Sequence, residues 1–528
     1  MPQSDPQQSS RARKRFIWRL TFGISLVALL IGGIAAFVIS RAEPILRARV
    51  IETLSARFEG KVTMDEFHVS LFQGVQVQGK GLKIYGETDP NPHQPGVQSL
   101  IAIAEFRFQT GVLQLLRSPT KVDTVYLKGL QINLPPKEQR EQSGSKRKKE
   151  KIKIEVAQFI CEDAQLIVNT AKPDKLPLQF DIKSLKMKNI GSNQPLQFDA
   201  NLTNPKPVGI IVSQGMFGPW NADSPRDTPV RGGYNFSKAD LETIKGIRGI
   251  LSSTGQYEGT LDRIVVDGTT DTPDFRLATT GQPVPLHTTF HAIVDGTSGD
   301  TYLQPVNATV LHSVIVAEGS VVRTKNIKGH HIQLNVTINK GRMEDLLRIG
   351  VKTNPPIMTG MVNLKTKLDL APGEEDVADR LKLAGNFRVW QAHFSNQKVQ
   401  KKVDELSLRS QGKPKLAKDD IPDNIPSDLS GTFSLKNAVL SFSQLHFQAP
   451  GTLVSLTGKY SLDGKQFDFH GKARLDAKLS QLVTGWKSIL LKPVDPFFHK
   501  HGAGTEVAIK ITGTKSEPHF GVDLGRKN

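Results

Sequence analysis

Residues 122–134 read VDTVYLKGLQINL. Val125 and Leu127, then Leu130, Ile132 and Leu134, alternate with polar neighbours, which is the period of a strand with one hidden face and one wet face. The pattern extends in both directions. Towards the N-terminus lie Val62 and Met64, Val69 and Leu71, Val75 and Val77, Leu82 and Ile84, then Ile101 to Phe108, with Gly74, Gly79, Gly81 and Gly86 read as turns. Towards the C-terminus it returns at Ile152 to Val156, Leu166 and Val168, Phe180 and Ile182, and Phe198 to Leu202. It continues through Tyr257–Val266, Phe290–Val294, Val306–Val316, Leu334 and Val336, Leu364, Phe387, Leu440 to Phe447, Phe467 and Phe469, and Val507 to Ile511. The expected fold is mainly β: an N-terminal transmembrane helix, then a long curled antiparallel sheet built as a meander of hairpins, with an apolar groove and a few short capping helices.

Five segments break the period of two. Leu20–Ser40, LTFGISLVALLIGGIAAFVIS, carries no charge between Arg19 and Arg41. At 1.5 Å per residue such a helix covers roughly 30 Å, the thickness of the hydrocarbon layer. Its anchor residues are Leu20, Phe22, Leu26, Leu29, Leu30, Ile34 and Phe37. The run exceeds the apolar core of a signal peptide and lacks an A-x-A-like exit, so an uncleaved anchor is expected. Arg11, Arg13, Lys14, Arg15 and Arg19 on the short side keep the N-terminus cytoplasmic. Next, Leu46, Val50, Ile51, Leu54 and Phe58 form an amphipathic stripe, which either packs on the first sheet or rests at lipid headgroups. Lys238–Leu251 reads as a short helix, with Leu241, Ile244 and Ile247 on one face, and Gly341–Gly350 as another. Near the end Leu479, Leu482, Val483, Trp486, Ile489 and Leu490 share a stripe, closed by Pro493 and Pro496. That helix, 479–490, either shields a sheet edge or faces lipid.

The expected divisions are a basic tail at 1–19, the span at 20–40, a first β region at 41–134, a charged linker at 135–151, a middle β region at 152–245 and a C-terminal β region at 246–528. The linker, PPKEQREQSGSKRKKEK, is either a solvated insertion or an arm for headgroups.

Composition narrows the function. Lys and Arg total 69 against 51 Asp and Glu, but the surplus concentrates at the tail and the linker instead of forming a stripe, and aromatic residues are 7% of the chain. Nucleic-acid binding is not indicated. With one cysteine, Cys161, no intrachain disulfide is available. His287 and His291 have an H-x3-H spacing, but on a strand they stand roughly 13 Å apart, too far to share a metal ion. Asp262, Asp267, Asp271 and Asp274 lack the spacing of a calcium loop and read as turn residues. No nucleophile elbow, Walker loop or dinucleotide fingerprint occurs, so neither an enzyme nor a cofactor is expected.

The chain resembles the AsmA-like proteins of Gram-negative envelopes. The likeness rests on the anchor with its amphipathic helix and Gly-marked strands, similar to a chorein-type lipid-transfer module. It also rests on GTLDRIVVDGTTDTPDF (Gly259–Phe275), HTTFHAIVDGTSGDTYLQPVNA (His287–Ala308), GRMEDLLRIG (Gly341–Gly350) and LDAKLSQLVTGWKSILLKPVDPFFHKHGAGTEVAIKITGTKSEPHFGVDL (Leu475–Leu524). The resemblance implies an inner-membrane anchor, a periplasmic groove and a part in phospholipid movement or outer-membrane upkeep, and it carries no catalytic residues. Expected partners are phospholipids, the inner membrane, and outer-membrane or periplasmic proteins that complete the lipid path. The expected groove residues are Val62, Val69, Val125, Leu127, Phe180, Ile182, Leu334, Val336, Leu364, Phe387, Phe467 and Phe469. The alternative is an envelope scaffold with a conventionally filled β core.

Overall fold

The computed structural model describes residues 43–522 apart from 46, 49, 53, 56–57, 59, 71–73, 87–97, 112–119, 135–153, 170–176, 192–193, 222–223, 279–280, 325–326, 328, 420–424, 483–503 and 515–517. The anchor residues, the basic tail, the charged linker and the end of the last expected helix lie outside the described residues. Among the described residues no helix is long and apolar enough to cross a membrane. Strands make up 66% of the described residues and helices 13%, so the described chain is mainly β.

The chain divides into two compact units, Met1–Pro205 with Ile211–Pro219, and Lys206–Ile210 with Trp220–Asn528. In the first, helical residues between 43 and 58 (α1) precede β1 (Val62–Thr63), β2 (Glu66–Ser70), β3 (Val75–Ile84), β4 (Ile101–Thr110), β5 (Thr120–Leu134), β6 (Ile154–Val168), β7 (Leu178–Ile190), β8 (Leu196–Pro205) and β9 (Val208–Phe217), of which residues 208–210 are assigned to the second unit. Val50, Ile51 and Leu54 of α1 pack on buried Met64, Phe67, Val69, Val77, Leu82 and Phe106, so the described part of this stripe belongs to the sheet. Ile45 and Phe58 stay exposed. Arg47 donates to the carbonyl of Met64, holding the helix at the β1–β2 turn.

The sheet is mixed, not wholly antiparallel, because β5 and β6 run parallel, from Thr120 beside Ile154 to Leu134 beside Val168. A parallel pair needs a crossover of a dozen or more residues, and the segment 135–153 is the connection between these strands. Its charge marked a linker, but alternation alone carries no strand direction. Gly79 and Gly81 lie inside β3 and are not turns. At Gly81 (φ +63°) the alternation slips by one residue, so that Gly79 and Leu82 both face inward. Gly129 (φ +63°) and Asp163 (φ +53°) repeat the slip on β5 and β6, which is why Leu127 is followed inward by Leu130.

The second unit holds β10 (Pro229–Asp240), β11 (Ile247–Arg248), β12 (Ile250–Thr260), β13 (Arg263–Leu277), β14 (Val284–Val294), β15 (Thr301–Val310), β16 (Ser313–Arg323), β17 (His330–Arg342), β18 (Met358–Leu370), β19 (Leu381–Phe394), β20 (Ser427–Lys436), β21 (Val439–Ala449), β22 (Thr452–Ser461), β23 (Phe467–Leu475), β24 (Thr505–Gly513) and β25 (Pro518–Val522). Its helices are α2 (Met343–Gly350), α3 (Val377–Arg380), α4 (Gln397–Ser410) and α5 (Leu416–Asp419). From β12 to β25 each strand pairs antiparallel with the next.

Three expectations change here. Lys238–Leu251 is not a helix but the end of β10, a 3-10 turn at Leu241–Thr243, β11 and the start of β12. Gly246 (φ +101°) and Gly249 (φ +130°) interrupt it, and a turn followed by a short strand imitates a helical spacing of three. Tyr257–Val266 and Val306–Val316 are hairpins, not single strands, turning at Leu261–Asp262 and Leu311–His312. Of the helix expected at 479–490, the described part, Leu479–Leu482, is a 3-10 turn, and Val483, Trp486 and Ile489 lie outside the described residues.

Cys161 is 1% exposed on the inward face of β6, and burial pushes its thiol up to about 11. Because the folded state favours the neutral thiol, this contribution to stability is complete below the ordinary thiol range and is lost as the pH rises through about 11. Iodoacetamide at pH 8 is expected to label Cys161 about 100-fold more slowly in the native chain than in urea. Labelling at the unfolded rate would show that the β5–β6–β7 region is not packed as described.

Candidate functional site

The site is a sheet face. On β16 to β24, Ile315, Ile338, Leu364, Phe387, Gly431, Leu445, Leu456, Gly471 and Ile509 are register partners in turn. Beside them run Ala317, Val336, Thr366, Gly385, Phe433, Phe442, Gly458, Phe469 and Ile511, and then Gly319, Leu334, Leu368, Leu383, Leu435, Leu440, Tyr460 and Phe467. The opposite face carries Glu318, Asn335, Lys367, Ala384, Ser434, Ser441, Lys459, Asp468 and Thr512 on one ladder line. Strand alternation therefore separates the two characters along these rows, Thr366 and Ala384 excepted.

Burial shows how the apolar face is covered. In a stacked pair of sheets the inward residues would be buried outright. Here Leu334, Val336, Leu364, Phe387, Leu445, Leu456 and Ile509 are only half-buried, while their polar neighbours Gln333, Asn335, Lys365 and Lys367 are exposed. Burial is densest at one end of the strands, at Val284, Val310, Ile338, Val362, Val389, Ala392, Thr452 and Thr505, with Ala292 and Leu435 buried towards the other end. That end carries the connections containing α2, α4 and the turn at Leu479–Leu482, while the hairpins at the other end are mostly short. The apolar face thus has one lip capped by long connections, while at the other the β18–β19 connection carries α3 and its Asp376 meets Lys245 at 2.9 Å.

The capped lip is held by polar groups. Asp345 of α2, 3% exposed, accepts from the His312 amide at 3.0 Å and the Ser313 hydroxyl at 2.8 Å, tying the β15–β16 turn. Met343, Leu346 and Leu347 of the same helix pack on Met358, Val362, Val389 and Ala392. On α4, Gln400 accepts from the Phe394 amide at 2.8 Å and donates to Asp404, which also accepts from the Ile425 amide at 3.0 Å. Ser407 donates to the Pro450 carbonyl at 2.7 Å, and the Ser410 carbonyl accepts from the Ala477 amide at 2.7 Å. From Gln400 to Ser407 the helix rises roughly 10 Å, close to the 9.6 Å or so between alternate strands. The brace matches the ladder, so each tie meets the next hairpin.

Several polar groups on the apolar face pair with one another or with the backbone, whereas the buried Thr272 hydroxyl has no hydrogen-bond partner among the described residues. The Thr270 and Thr288 hydroxyls are 2.6 Å apart, Tyr234 and Ser253 are 3.0 Å apart, and Thr366 donates to the Ala384 carbonyl. Charged pairs sit on the outer face: His287 with Asp271 at 2.6 Å, His291 with Asp267 at 2.7 Å, and His331 with Asp369 at 3.0 Å. The hydrogen bond from His331 holds the Asp369 carboxyl below its usual range. Asp267 and Asp271 are therefore mid-strand partners of histidines and not turn residues, while Asp262 at the β12–β13 turn accepts from Thr260. Among the described residues no three His, Cys, Asp or Glu side chains gather as a metal site.

The predicted groove residues fall on one face within each unit. In the first, Val69 pairs with Val77, Val62 with Ile84, Leu127 with Phe106 and Cys161, Val125 with Phe108 and Phe159, Phe180 with Leu166, and Ile182 with Ala164. Val69 is buried in the small core under α1, and so is unavailable to a ligand. In the second, Leu334, Val336, Leu364, Phe387, Phe467 and Phe469 occupy the three rows above, with Phe469 buried at 4% exposure.

Aromatic rings laid over cross-strand glycines went unread in the sequence. Gly79 faces Phe106, Gly255 faces Tyr234, Gly268 faces Phe290, Gly431 faces Phe387 and Gly458 faces Phe469. A Cβ on Gly458 would stand 2.6 Å from the Phe469 ring, and one on Gly268 2.8 Å from Phe290. The signal was a glycine within an alternating run, which marks a close approach as readily as a turn.

No family model matches the sequence, and no curated protein matches it.

The brace supports a direct test. Asp404→Ala leaves the Ile425 amide without its acceptor and the Gln400 amide group with only the Ile425 carbonyl, in a site 2% exposed. A loss of about 2 to 4 kcal/mol in urea unfolding is expected, against under ~0.5 kcal/mol for the exposed Lys401→Ala. Equal effects would mean that α4 does not depend on these ties.

Proposed function

We propose that this chain is an anchored, AsmA-like envelope protein whose apolar sheet face shields the acyl chains of phospholipid and takes part in moving lipid between inner and outer membranes. In this reading the N-terminus is cytoplasmic, the span at 20–40 holds the chain in the inner membrane, and the strands lie in the periplasm. The observation that carries it is the set of continuous apolar rows left half-buried on β16 to β24, with a polar opposite face.

The energetics fit a sliding ligand. Each methylene removed from water is worth about 0.8 kcal/mol, so a chain of around 16 carbons gains on the order of 12 kcal/mol as an upper bound. It surrenders a comparable amount on leaving the bilayer. Near balance, together with apolar rows lacking charge, leaves no strong trap. The headgroup stays in water at the open side, and no chemical step is required.

Photo-crosslinking tests this. With a photoreactive residue at Leu334, Val336 or Leu364, phospholipid adducts are expected at least about tenfold above those from the outward positions Gln333 and Lys365. Equal yields on both faces, or none on either, would leave the alternative of a non-catalytic scaffold.

A further inference from the structure

The apolar rows of the second unit change character along the sheet. On β15 to β18 the inward side chains are aliphatic or small, such as Ile315, Leu334, Val336 and Leu364, and carry no aromatic ring. From β19 to β23 four phenylalanines follow on the first two of these rows: Phe387, Phe433, Phe442 and Phe469.

These four rings form a connected line. Phe387 lies 6.2 Å from Phe433 and 6.3 Å from Phe442 between ring centroids, and Phe442 lies 5.9 Å from Phe469. Interplanar angles of 54°, 77° and 40° are tilted and edge-on, the arrangement in which the positive edge of one ring meets the negative face of another. Gly431, the register partner of Phe387, and Gly458, the partner of both Phe442 and Phe469, leave the room in which the rings lie down. Across five strands, roughly 19 Å of sheet, the rings contact one another on a face that is aliphatic before them.

We infer that Phe387, Phe433, Phe442 and Phe469 form an aromatic barrier that ends the hydrocarbon track, so that acyl chains lie along β15 to β18 and pass β19 only when the rings turn aside. The inference rests on the lipid reading above and adds to it where the ligand stops and which residues set that limit. Rings that hold one another by tilted and edge-on contacts must give those contacts up before a chain can lie between them. A chain sliding along the face therefore meets a step at Phe387, and the barrier residues act by position, not by chemistry.

The test uses the full chain in its native membrane, with a photoreactive residue at Leu334 on β17 or at half-buried Ile509 on β24, beyond the barrier and opposite Gly471. Phospholipid adducts at Leu334 are expected to exceed those at Ile509 by about tenfold in the unaltered chain, and to come within about twofold after F387A/F433A/F442A. Because three truncations risk the fold, Phe442→Leu alone keeps the apolar bulk while removing the central ring, and a rise of about threefold at Ile509 is expected. Equal adducts at Leu334 and Ile509 in the unaltered chain, or an Ile509 yield unmoved by both variants, would overturn the barrier alone. Absence of adducts at Leu334 as well would overturn the barrier together with the lipid reading.

Discussion

A strand with one apolar face must hide that face, and the ladders of this chain satisfy the backbone without doing so. Antiparallel pairing from β12 to β25 uses the amides and carbonyls along the sheet, but it leaves Leu334, Leu364, Leu445 and Leu456 half-buried. Proteins ordinarily complete such a face with a second sheet or a helix layer. Here buried apolar clusters form at α1, at α2 and beside α4, and the rows between them are covered only in part. The rows therefore leave apolar surface that the protein does not itself cover, which is the surface the proposed lipid reading uses.

The braces fit that constraint. A capping helix that docked through a broad apolar stripe would spread over the rows it protects. Helix α4 instead buries Gln400, Asp404, Ser407 and Ser410 against successive hairpins, each with a hydrogen-bond partner, while Leu406 reaches the cluster of Val454, Ala473 and Leu475. Buried polar groups that are fully paired favour one arrangement over its near neighbours. The lip is thus fixed, and the middle of the face is covered only in part.

Much of this was legible in the sequence, and the failures share a cause. Alternation identified the strands and assigned Val125, Phe180, Leu334 and Leu364 to a common side within their units, because the period of two is set by the strand itself. Pairing partners are non-local and leave weaker traces. The parallel β5–β6 ladder looked like another hairpin, since Val125 and Phe159 alternate the same way in either direction. Asp267 and Asp271 looked like turn residues because Gly and Thr surround them, whereas their histidine partners lie on the next strand. The glycines under Phe106 and Phe387 were misread or unread for the same reason. Spacings of three at Leu241, Ile244 and Ile247 imitated a helix over a segment in which Gly246 and Gly249 take positive φ. The candidate face was visible as a pattern, but its half-buried state depended on what packs against it, which no local pattern encodes.

The central claim is that hydrocarbon, not protein, completes the cover of these rows. Native mass spectrometry of the full chain released from mild detergent measures this directly. The account predicts polypeptide masses raised by whole phospholipid molecules that persist as collisional activation strips the detergent. A bare polypeptide mass under the gentlest conditions that release it from detergent would contradict the account.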